Sequence, residues 1–160
     1  MANSKVSQDT GDLKLDRVSK NYGDFCAVDD LSLVVPDGSF FALLGPSGCG
    51  KTTTLRMIAG LEEPTAGTIS IGDTDITTQK SYRRNVNTVF QNYALFPHLT
   101  IFENIAFGLR RRGIKDVKTE VENALNLVEM GHLAERKPNQ LSGGQQQRIA
   151  VARAIVNRPE

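Results

Sequence analysis

The residues best placed to do chemistry in this sequence are the consecutive Gly45, Pro46, Ser47, Gly48, Cys49, Gly50, Lys51, Thr52 and Thr53. An apolar run from Phe40 to Leu44 comes before them and predicts a short buried strand. Leu55, Ile58 and Ala59 come after them and share one face of a predicted helix. Strand, glycine-rich turn and helix form the setting in which a Gly-x-x-x-x-Gly-Lys-Ser/Thr pattern becomes a phosphate-binding loop, or P-loop.

Each residue type in this loop suits a polyphosphate. The glycines allow backbone N–H groups to approach phosphate oxygens, and the N–H groups from Ser47 to Thr53 predict an anion-binding nest at a helix N-terminus. Lys51 supplies a mobile positive charge for the β- and γ-phosphates, the Thr52 hydroxyl suits Mg²⁺, and Thr53 offers a further donor. The alternative is a glycine-rich turn with an incidental lysine, and the agreement of motif and context favours the phosphate site.

The composition narrows the class of protein. The chain has 160 residues and a formal net charge of +1, so it predicts one domain with no bulk attraction to nucleic acid. It contains no apolar run of about 18 residues, and residues 1–12 are polar and predict a loose N-terminal tail. Cys26 and Cys49 have no disulfide or metal spacing, which favours a reduced cytosolic setting. The arginines at 83–84 and 110–112 predict solvated faces.

Alternating and helical periods predict the remaining elements. Strands are predicted at Leu13–Val18, Leu31–Val35, Thr68–Ile71 and Val86–Phe90. The turns at Asn21–Asp24 and Pro36–Gly38 have hairpin spacing and predict an antiparallel sheet near the N-terminus. Helices are predicted at Ile101–Leu109, Asp116–Met130 and Gln146–Asn157, and Gly60 is predicted to end the helix that follows the P-loop.

A second anion site is predicted at Ser142, Gly143, Gly144 and Gln145. These residues fit a capping box, with serine at the N-cap and glutamine three positions later. Two glycines in a first turn are a poor choice for stability alone, at about 1 kcal/mol each against alanine. They suit a ligand that must approach the exposed N–H groups, so both the capping and the ligand-binding interpretations stay open.

The stretch Leu141–Gln145 resembles the signature motif of the ABC-transporter ATPase family. The order along the chain also matches, with Tyr22 before the P-loop, Gln91 after it and the signature last. The resemblance extends from about Leu13 to Glu160. From the residues alone, Tyr22 could be a turn aromatic and Gln91 a solvated strand end. The resemblance implies that Tyr22 stacks on adenine and that Gln91 assists Mg²⁺.

The resemblance implies an α/β fold, a P-loop NTPase core with an N-terminal antiparallel β subdomain and a helical subdomain at about residues 100–141. It implies ATP and Mg²⁺ as cofactors and a second ATP-binding subunit, arranged head to tail. In that dimer Ser142, Gly143 and Gln145 would serve the γ-phosphate bound by the partner. Transmembrane permease subunits would be the other partners, with no nucleic acid expected, and the protein would lie peripherally on the cytoplasmic face of the cell membrane.

The stretches Phe90–Thr100 and Phe102–Leu109 resemble the ATPases of polyamine, ferric iron or sugar importers. This resemblance implies an ATP-binding subunit that couples ATP binding and hydrolysis to solute transport. In the same region, Phe96, Pro97 and Leu99 could form a docking surface for a membrane subunit or could simply pack on the helical region. Both interpretations remain open at the level of sequence.

The sequence departs from the family pattern in its catalytic residues. The family's Walker B aspartate, the glutamate that follows it and a later histidine have no counterparts here, and the predicted strand at Val86–Phe90 ends in Gln91. Family order places them beyond Glu160. We therefore expect residues 13–160 to be an incomplete domain, truncated before the Walker B strand, that hydrolyses little ATP. The alternatives are a non-catalytic truncated product and a soluble ABC protein acting on nucleic acid or ribosomes.

Overall fold

The computed structural model describes residues 11–157. The chain divides into two compact units, one running to Val86 and the other beginning at Asn87. Most of the predicted N-terminal tail, residues 1–10, lies outside the described residues. Each unit has its own apolar core, so each is described separately.

The first unit contains a four-stranded antiparallel sheet in the order β2-β1-β3-β4. Its strands are β1 (Leu13–Tyr22), β2 (Phe25–Val35), β3 (Ala66–Ile71) and β4 (Thr74–Asp75). A register shift between Leu15 and Val18 lets both side chains enter the core although three positions separate them. The predicted antiparallel sheet is therefore confirmed.

The first unit also contains the helix α1 (Lys51–Ile58) and a short 3-10 helix at Ser81–Arg83. The buried residues of α1 are Thr54 and Met57. Of the predicted apolar face, Ala59 is buried and Ile58 packs against the core, whereas Leu55 is 53% exposed, so the prediction was wrong for Leu55 alone. Gly60, with φ +69°, ends the helix as predicted, because its N–H bonds to the Met57 carbonyl while the Leu61 N–H bonds to that of Arg56.

Arg84 is buried in the first unit, which corrects the prediction of a solvated face there. Its guanidinium donates to the Met57 carbonyl at 2.6 Å and to the Ile58 carbonyl at 2.8 Å. It also donates to the carbonyls of Gln79 at 2.8 Å and Thr77 at 3.0 Å. Burial lowers the pKa of Arg84. The side chain thus gives the Met57 and Ile58 carbonyls, at the C-terminus of α1, a donor in addition to the Gly60 N–H that bonds to Met57.

Two predicted strands are absent from the described residues: Phe40–Leu44 and Val86–Phe90 have no regular secondary structure. The Phe40 side chain is 97% exposed and that of Leu44 is 91% exposed. A strand is defined by hydrogen bonds to a neighbouring strand, and neither segment forms such a ladder within the part of the chain that is described. Both strand predictions were wrong, because an apolar pattern alone does not supply a partner strand.

The second unit is helical, with α2 (Ile101–Arg111), α3 (Val117–Leu127) and α4 (Gly143–Ile155). The predicted apolar face of α2 is buried at Ile101, Ile105 and Leu109. The predicted Asp116–Met130 helix ends early because Glu129 adopts φ +61° and the Met130 N–H bonds back to the Leu125 carbonyl. The core that joins the helices includes Ile101, Ile105, Leu109, Val121, Leu125 and Ile149.

Candidate functional site

A cavity of about 410 Å³ lies beside the glycine-rich loop in the first unit. Seven of the predicted site residues line it, which are Tyr22, Ser47, Gly48, Gly50, Lys51, Thr52 and Thr53. Phe25 and Ala27 also line it. Among the residues that the structure describes, no carboxylate lines this cavity. The cavity therefore combines an aromatic end with a cationic, N–H-rich end.

The N-terminus of α1 forms the cationic end. The helix begins at Lys51, and its N-cap residue Gly50 has no side chain that could cap it. The first intrahelical bond runs from the Thr54 N–H to the Gly50 carbonyl at 2.8 Å. Helix geometry leaves the N–H groups of the first turn without intrahelical acceptors, and the macrodipole makes this end positive. This arrangement is suited to binding an anion such as a phosphate.

Gly50 is required here for two separate reasons. Its backbone has φ +82°, and a Cβ would lie 2.5 Å from the Ala27 carbonyl oxygen. Gly48 differs, because it has φ +83° but a Cβ would meet no described atom within 4 Å. The loop therefore needs Gly48 for its conformation alone, whereas Gly50 also allows the close approach of the loop to β2.

Lys51 holds its ammonium group inside the loop. Its Nζ donates to the carbonyl oxygens of Gly45 at 2.8 Å and Pro46 at 2.6 Å. The Cys49 Sγ lies 3.3 Å from the same Nζ. Gly45, Pro46 and Cys49 do not line the cavity. Their structural role is to hold the Lys51 ammonium group beside it. An ammonium group bound only by neutral acceptors remains available to a phosphate, which is a stronger partner.

The threonines at the start of α1 divide into two groups. Thr54 is buried, and its Oγ1 donates to the Gly50 carbonyl at 3.0 Å, which closes the first turn. Thr52 and Thr53 line the cavity instead. A hydroxyl oxygen is a ligand type that Mg²⁺ takes, and the role of Thr52 as such a ligand stays a prediction.

The aromatic end lies at the tip of the β1–β2 hairpin. Tyr22 and Phe25 face each other across the Gly23-Asp24 turn, with exposures of 46% and 63%. Sequence reasoning identified Tyr22 and missed Phe25. The signal was present, because a two-residue turn places the residues that flank it opposite each other in the ladder.

The second unit contains the other predicted anion site, at the N-terminus of α4. The Ser142 Oγ accepts from the Gln145 N–H at 3.3 Å, and the Gln145 Oε1 accepts from the Ser142 N–H at 2.9 Å. This is the capping box that the sequence allowed. A Cβ on Gly144 would meet no described atom within 4 Å, and one on Gly143 would lie 3.9 Å from the Tyr93 hydroxyl. Packing therefore does not require either glycine.

Gln91 lies exposed at the start of a turn in the second unit. The residues that follow it are constrained, because Tyr93 has φ +61° and Ala94 has φ +47°. Arg153 of α4 donates to the Ala94 carbonyl at 2.9 Å and to the Tyr93 carbonyl at 3.2 Å. Burial lowers the pKa of Arg153. Arg153 of α4 thus holds the left-handed segment Tyr93-Ala94 that follows Gln91. The sequence analysis did not predict this contact.

Asn104 anchors the rest of this loop and was also missed. It is fully buried on α2, and its Oδ1 accepts from the Phe96 N–H at 2.8 Å. Its Nδ2 donates to the Phe96 carbonyl at 3.1 Å and to the Thr100 carbonyl at 2.9 Å. The Phe96 ring packs 5.1 Å from that of Phe107. Phe96 therefore has a packing role within the second unit, one of the two interpretations that the sequence left open.

Both cysteines are free and exposed in the structure. Within residues 11–157, no group of three or more His, Cys, Asp or Glu side chains is arranged to hold a metal ion. The same residues include no helix with the length and apolarity needed to cross a bilayer.

Comparison with known proteins finds matches among ABC transporter ATP-binding proteins. The family model described as "ABC transporter" matches residues 28–160. A spermidine/putrescine import ATP-binding protein PotA from Rubrobacter xylanophilus is 58% identical over 92% of this chain, and one from Thermobifida fusca is 54% identical over 92%. This chain spans about 40% of the length of each of these relatives.

A solved structure agrees with these relatives. The dimeric bacterial ABC transporter cassette MJ0796 is 34% identical, with a TM-score of 0.83 over 92% of this chain and 70% of its own. The α/β fold class predicted from the sequence, an antiparallel sheet with helices around a P-loop, is confirmed by this similarity.

Proposed function

This chain belongs to the ABC transporter family, and on that premise we propose that it is the ATP-binding part of an importer subunit. In this proposal it binds MgATP, and the whole protein couples ATP binding and hydrolysis to the movement of a solute across a membrane. The relatives that carry "import ATP-binding" in their names favour import over export.

The observation that carries the proposal is the geometry of the P-loop cavity. It brings together the open N-terminus of α1, the Lys51 ammonium group and the two exposed aromatic rings at the hairpin tip. Phosphates suit the first two features, and a purine base suits the third because aromatic rings stack favourably. A nucleoside triphosphate has groups that suit all three features. Membership of the ABC transporter family makes ATP the expected nucleoside triphosphate.

We assign the residues as follows. The N–H groups of the loop and of the first helical turn bind the phosphates. The Lys51 ammonium group moves from the carbonyls of Gly45 and Pro46 to the β- and γ-phosphates. Thr52 supplies an oxygen to Mg²⁺, with Gln91 as a further ligand or a water-mediated one. Tyr22 stacks on the base. The N–H groups and the Lys51 ammonium group fit the phosphates, and the Thr52 hydroxyl is an oxygen ligand of the type that Mg²⁺ takes.

The signature residues are proposed to bind the γ-phosphate held by a second ATP-binding subunit. The support is the choice of glycine at positions 143 and 144, which neither packing nor backbone conformation in this chain requires. Glycine there lowers helix stability, so a ligand that needs close access to the Ser142 side of α4 gives those residues a function. The capping box leaves the Ser142 hydroxyl proton available for donation to a phosphate.

The remaining partners and the solute follow from the relatives' names. We propose that the whole protein works with transmembrane permease subunits, lies peripherally on the cytoplasmic face of the membrane and serves the import of polyamines. The 52–58% identity to proteins named for spermidine and putrescine import supports the polyamine class.

The test of the binding proposal is ATP affinity in the Lys51→Met variant, measured by isothermal titration with MgATP. We expect affinity to fall about tenfold or more, because charge-assisted hydrogen bonds to the phosphates are lost. Lys115→Met, which removes an exposed lysine of the second unit, is the matched control and should bind as the unaltered protein does. Equal affinity in the Lys51 and Lys115 variants would contradict the proposal.

A further inference from the structure

We propose that the Lys20–Glu62 ion pair is a positioning device for the base-binding end of the P-loop cavity. In this proposal the pair fixes the Tyr22 ring in the orientation on which a nucleotide base stacks. The inference rests on the proposed nucleotide-binding function. It extends that function to two residues outside the cavity lining and outside the motifs of the sequence.

The first support is the position of the Lys20 ammonium group. Its Nζ lies 2.9 Å from Glu62 Oε1 and donates to the Glu63 carbonyl at 2.7 Å. The same Nζ stands 5.0 Å from the centroid of the Tyr22 ring. A cation at this distance from a ring face is attracted by the quadrupole of the ring. The lysine therefore has fixed oxygen partners while it contacts the aromatic ring.

The second support is the burial of the pair. The Lys20 and Glu62 side chains are 13% and 21% exposed. The Lys80–Glu63 pair nearby is 68% and 70% exposed, with its charged atoms 3.8 Å apart. Screening by water is weaker for the less exposed pair, so its geometry is held more firmly. The hydrogen bond from Lys20 is the main cause that lowers the pKa of Glu62, and the Tyr22 hydroxyl contributes as well.

The third support is the way Glu62 is attached to α1. The N–H groups of Leu61 and Glu62 both bond to the Arg56 carbonyl, at 2.9 and 3.3 Å. The Arg56 guanidinium also lies 3.8 Å from the Glu62 carboxylate. Glu62 is thus fixed to the C-terminal end of the helix whose N-terminus is the phosphate-binding end. The ion pair therefore links the strand that carries Tyr22 to the helix that presents the phosphate-binding end.

Additional bonds join the same segment to β1. The Asn21 N–H donates to the Thr65 Oγ1 at 3.0 Å, and the Thr65 N–H donates to the Ser19 carbonyl at 2.8 Å. The loop after α1 therefore lies along the strand that carries Lys20 and Tyr22. Removal of the lysine alone leaves these backbone bonds in place, so the expected effect is confined to the orientation of the ring.

The experiment compares ATP with inorganic tripolyphosphate, which has the phosphates but no base. In Lys20→Met we expect ATP affinity to fall by about threefold to tenfold while tripolyphosphate affinity is unchanged, because only the stacking surface is disturbed. Glu62→Gln should also lower ATP affinity, by a smaller factor, and should leave tripolyphosphate affinity unchanged. Lys20→Arg, which keeps the cation, should restore ATP affinity. Lys80→Met removes the exposed neighbouring cation and should change neither affinity.

The outcomes separate this inference from the binding proposal. Equal losses of ATP and tripolyphosphate in Lys20→Met would mean that the ion pair only maintains the fold, and unchanged ATP affinity would mean that it positions nothing. Equal affinities of the unaltered protein for ATP and tripolyphosphate would overturn the base subsite while the phosphate site stands. Failure of the unaltered protein to bind either ligand would overturn both proposals.

A spectroscopic measurement covers the case in which Lys20→Met folds poorly. The sequence contains no tryptophan, so Tyr22→Trp places a single fluorescent reporter at the hairpin tip. We expect the glutamine substitution at Glu62, made in this background, to increase acrylamide quenching of the tryptophan and to weaken its response to ATP. Unchanged quenching and an unchanged ATP response would contradict a positioning role for the pair.

Discussion

At the scale of single residues, the two predicted anion sites use glycine for different physical reasons. Gly50 has a left-handed backbone and a carbonyl oxygen 2.5 Å from where a Cβ would lie. Gly144 is helical and has open space around it. The first glycine is needed by the fold, whereas the second is needed only if a ligand binds there.

This difference predicts opposite effects of alanine. Gly144→Ala should raise the free energy of unfolding by up to about 1 kcal/mol, because alanine is the better helix former and meets no described neighbour. Gly50→Ala should lower it by more than that, since the new methyl group collides with the Ala27 carbonyl. Urea unfolding measures both values. A loss of stability in Gly144→Ala would show that packing constrains this position.

At the scale of elements, Arg84 makes α1 dependent on a distant segment of the chain. The helix is short, and the C-terminal carbonyls of Met57 and Ile58 are paired by the guanidinium rather than by a local cap alone. At position 60 only glycine leaves room for the Arg84 guanidinium, since a Cβ would lie 2.5 Å from the Arg84 Nε. The helix that presents the phosphate-binding end is therefore held at its C-terminal end by Arg84.

We expect Arg84→Met to lower the free energy of unfolding by about 2–3 kcal/mol, because four backbone carbonyls lose a charged donor and the bond to the Met57 carbonyl is buried. Urea unfolding is the measurement. Arg83→Met is the matched control, since Arg83 is exposed, and it should change the value by less than about 0.5 kcal/mol. Equal effects of the two substitutions would contradict the capping role of Arg84.

At the scale of the whole molecule, the P-loop cavity brings together the groups that we propose bind a nucleotide. Its lining among the described residues contains no carboxylate to hold Mg²⁺ or to orient a water molecule. The relatives with which it aligns are more than twice as long, since the matched residues span 40% of them. In our proposal, hydrolysis by the whole protein therefore needs groups other than those that line this cavity.

The 160-residue chain is accordingly expected to bind MgATP and to release phosphate no faster than the Lys51→Ala variant does. Release of inorganic phosphate from MgATP, followed over hours, is the measurement. Mg²⁺-dependent turnover that Lys51→Ala abolishes would show that the chain contains its own catalytic groups.

Much of the fold and of the candidate site follows from local sequence. The Ser142–Gln145 capping box, the end of α1 at Gly60 and the buried face of α2 all depend on residues within one or two helical turns, so a short window of sequence contains the necessary information. The P-loop chemistry has the same origin, because Gly50 and Lys51 act through their own backbone and through the carbonyls of neighbouring residues.

Only the tertiary structure decided the features that need a partner distant in sequence. The apolar segment Phe40–Leu44 is not a strand among the described residues, because a strand requires hydrogen bonds that its own sequence cannot supply. The burial of Arg84 and the contact of Lys20 with Glu62 depend on chain segments that are 26 and more residues away. The sequence thus determined the chemistry of each local element. Long-range contacts determined which polar side chains are buried or paired, because their partners lie far away along the chain.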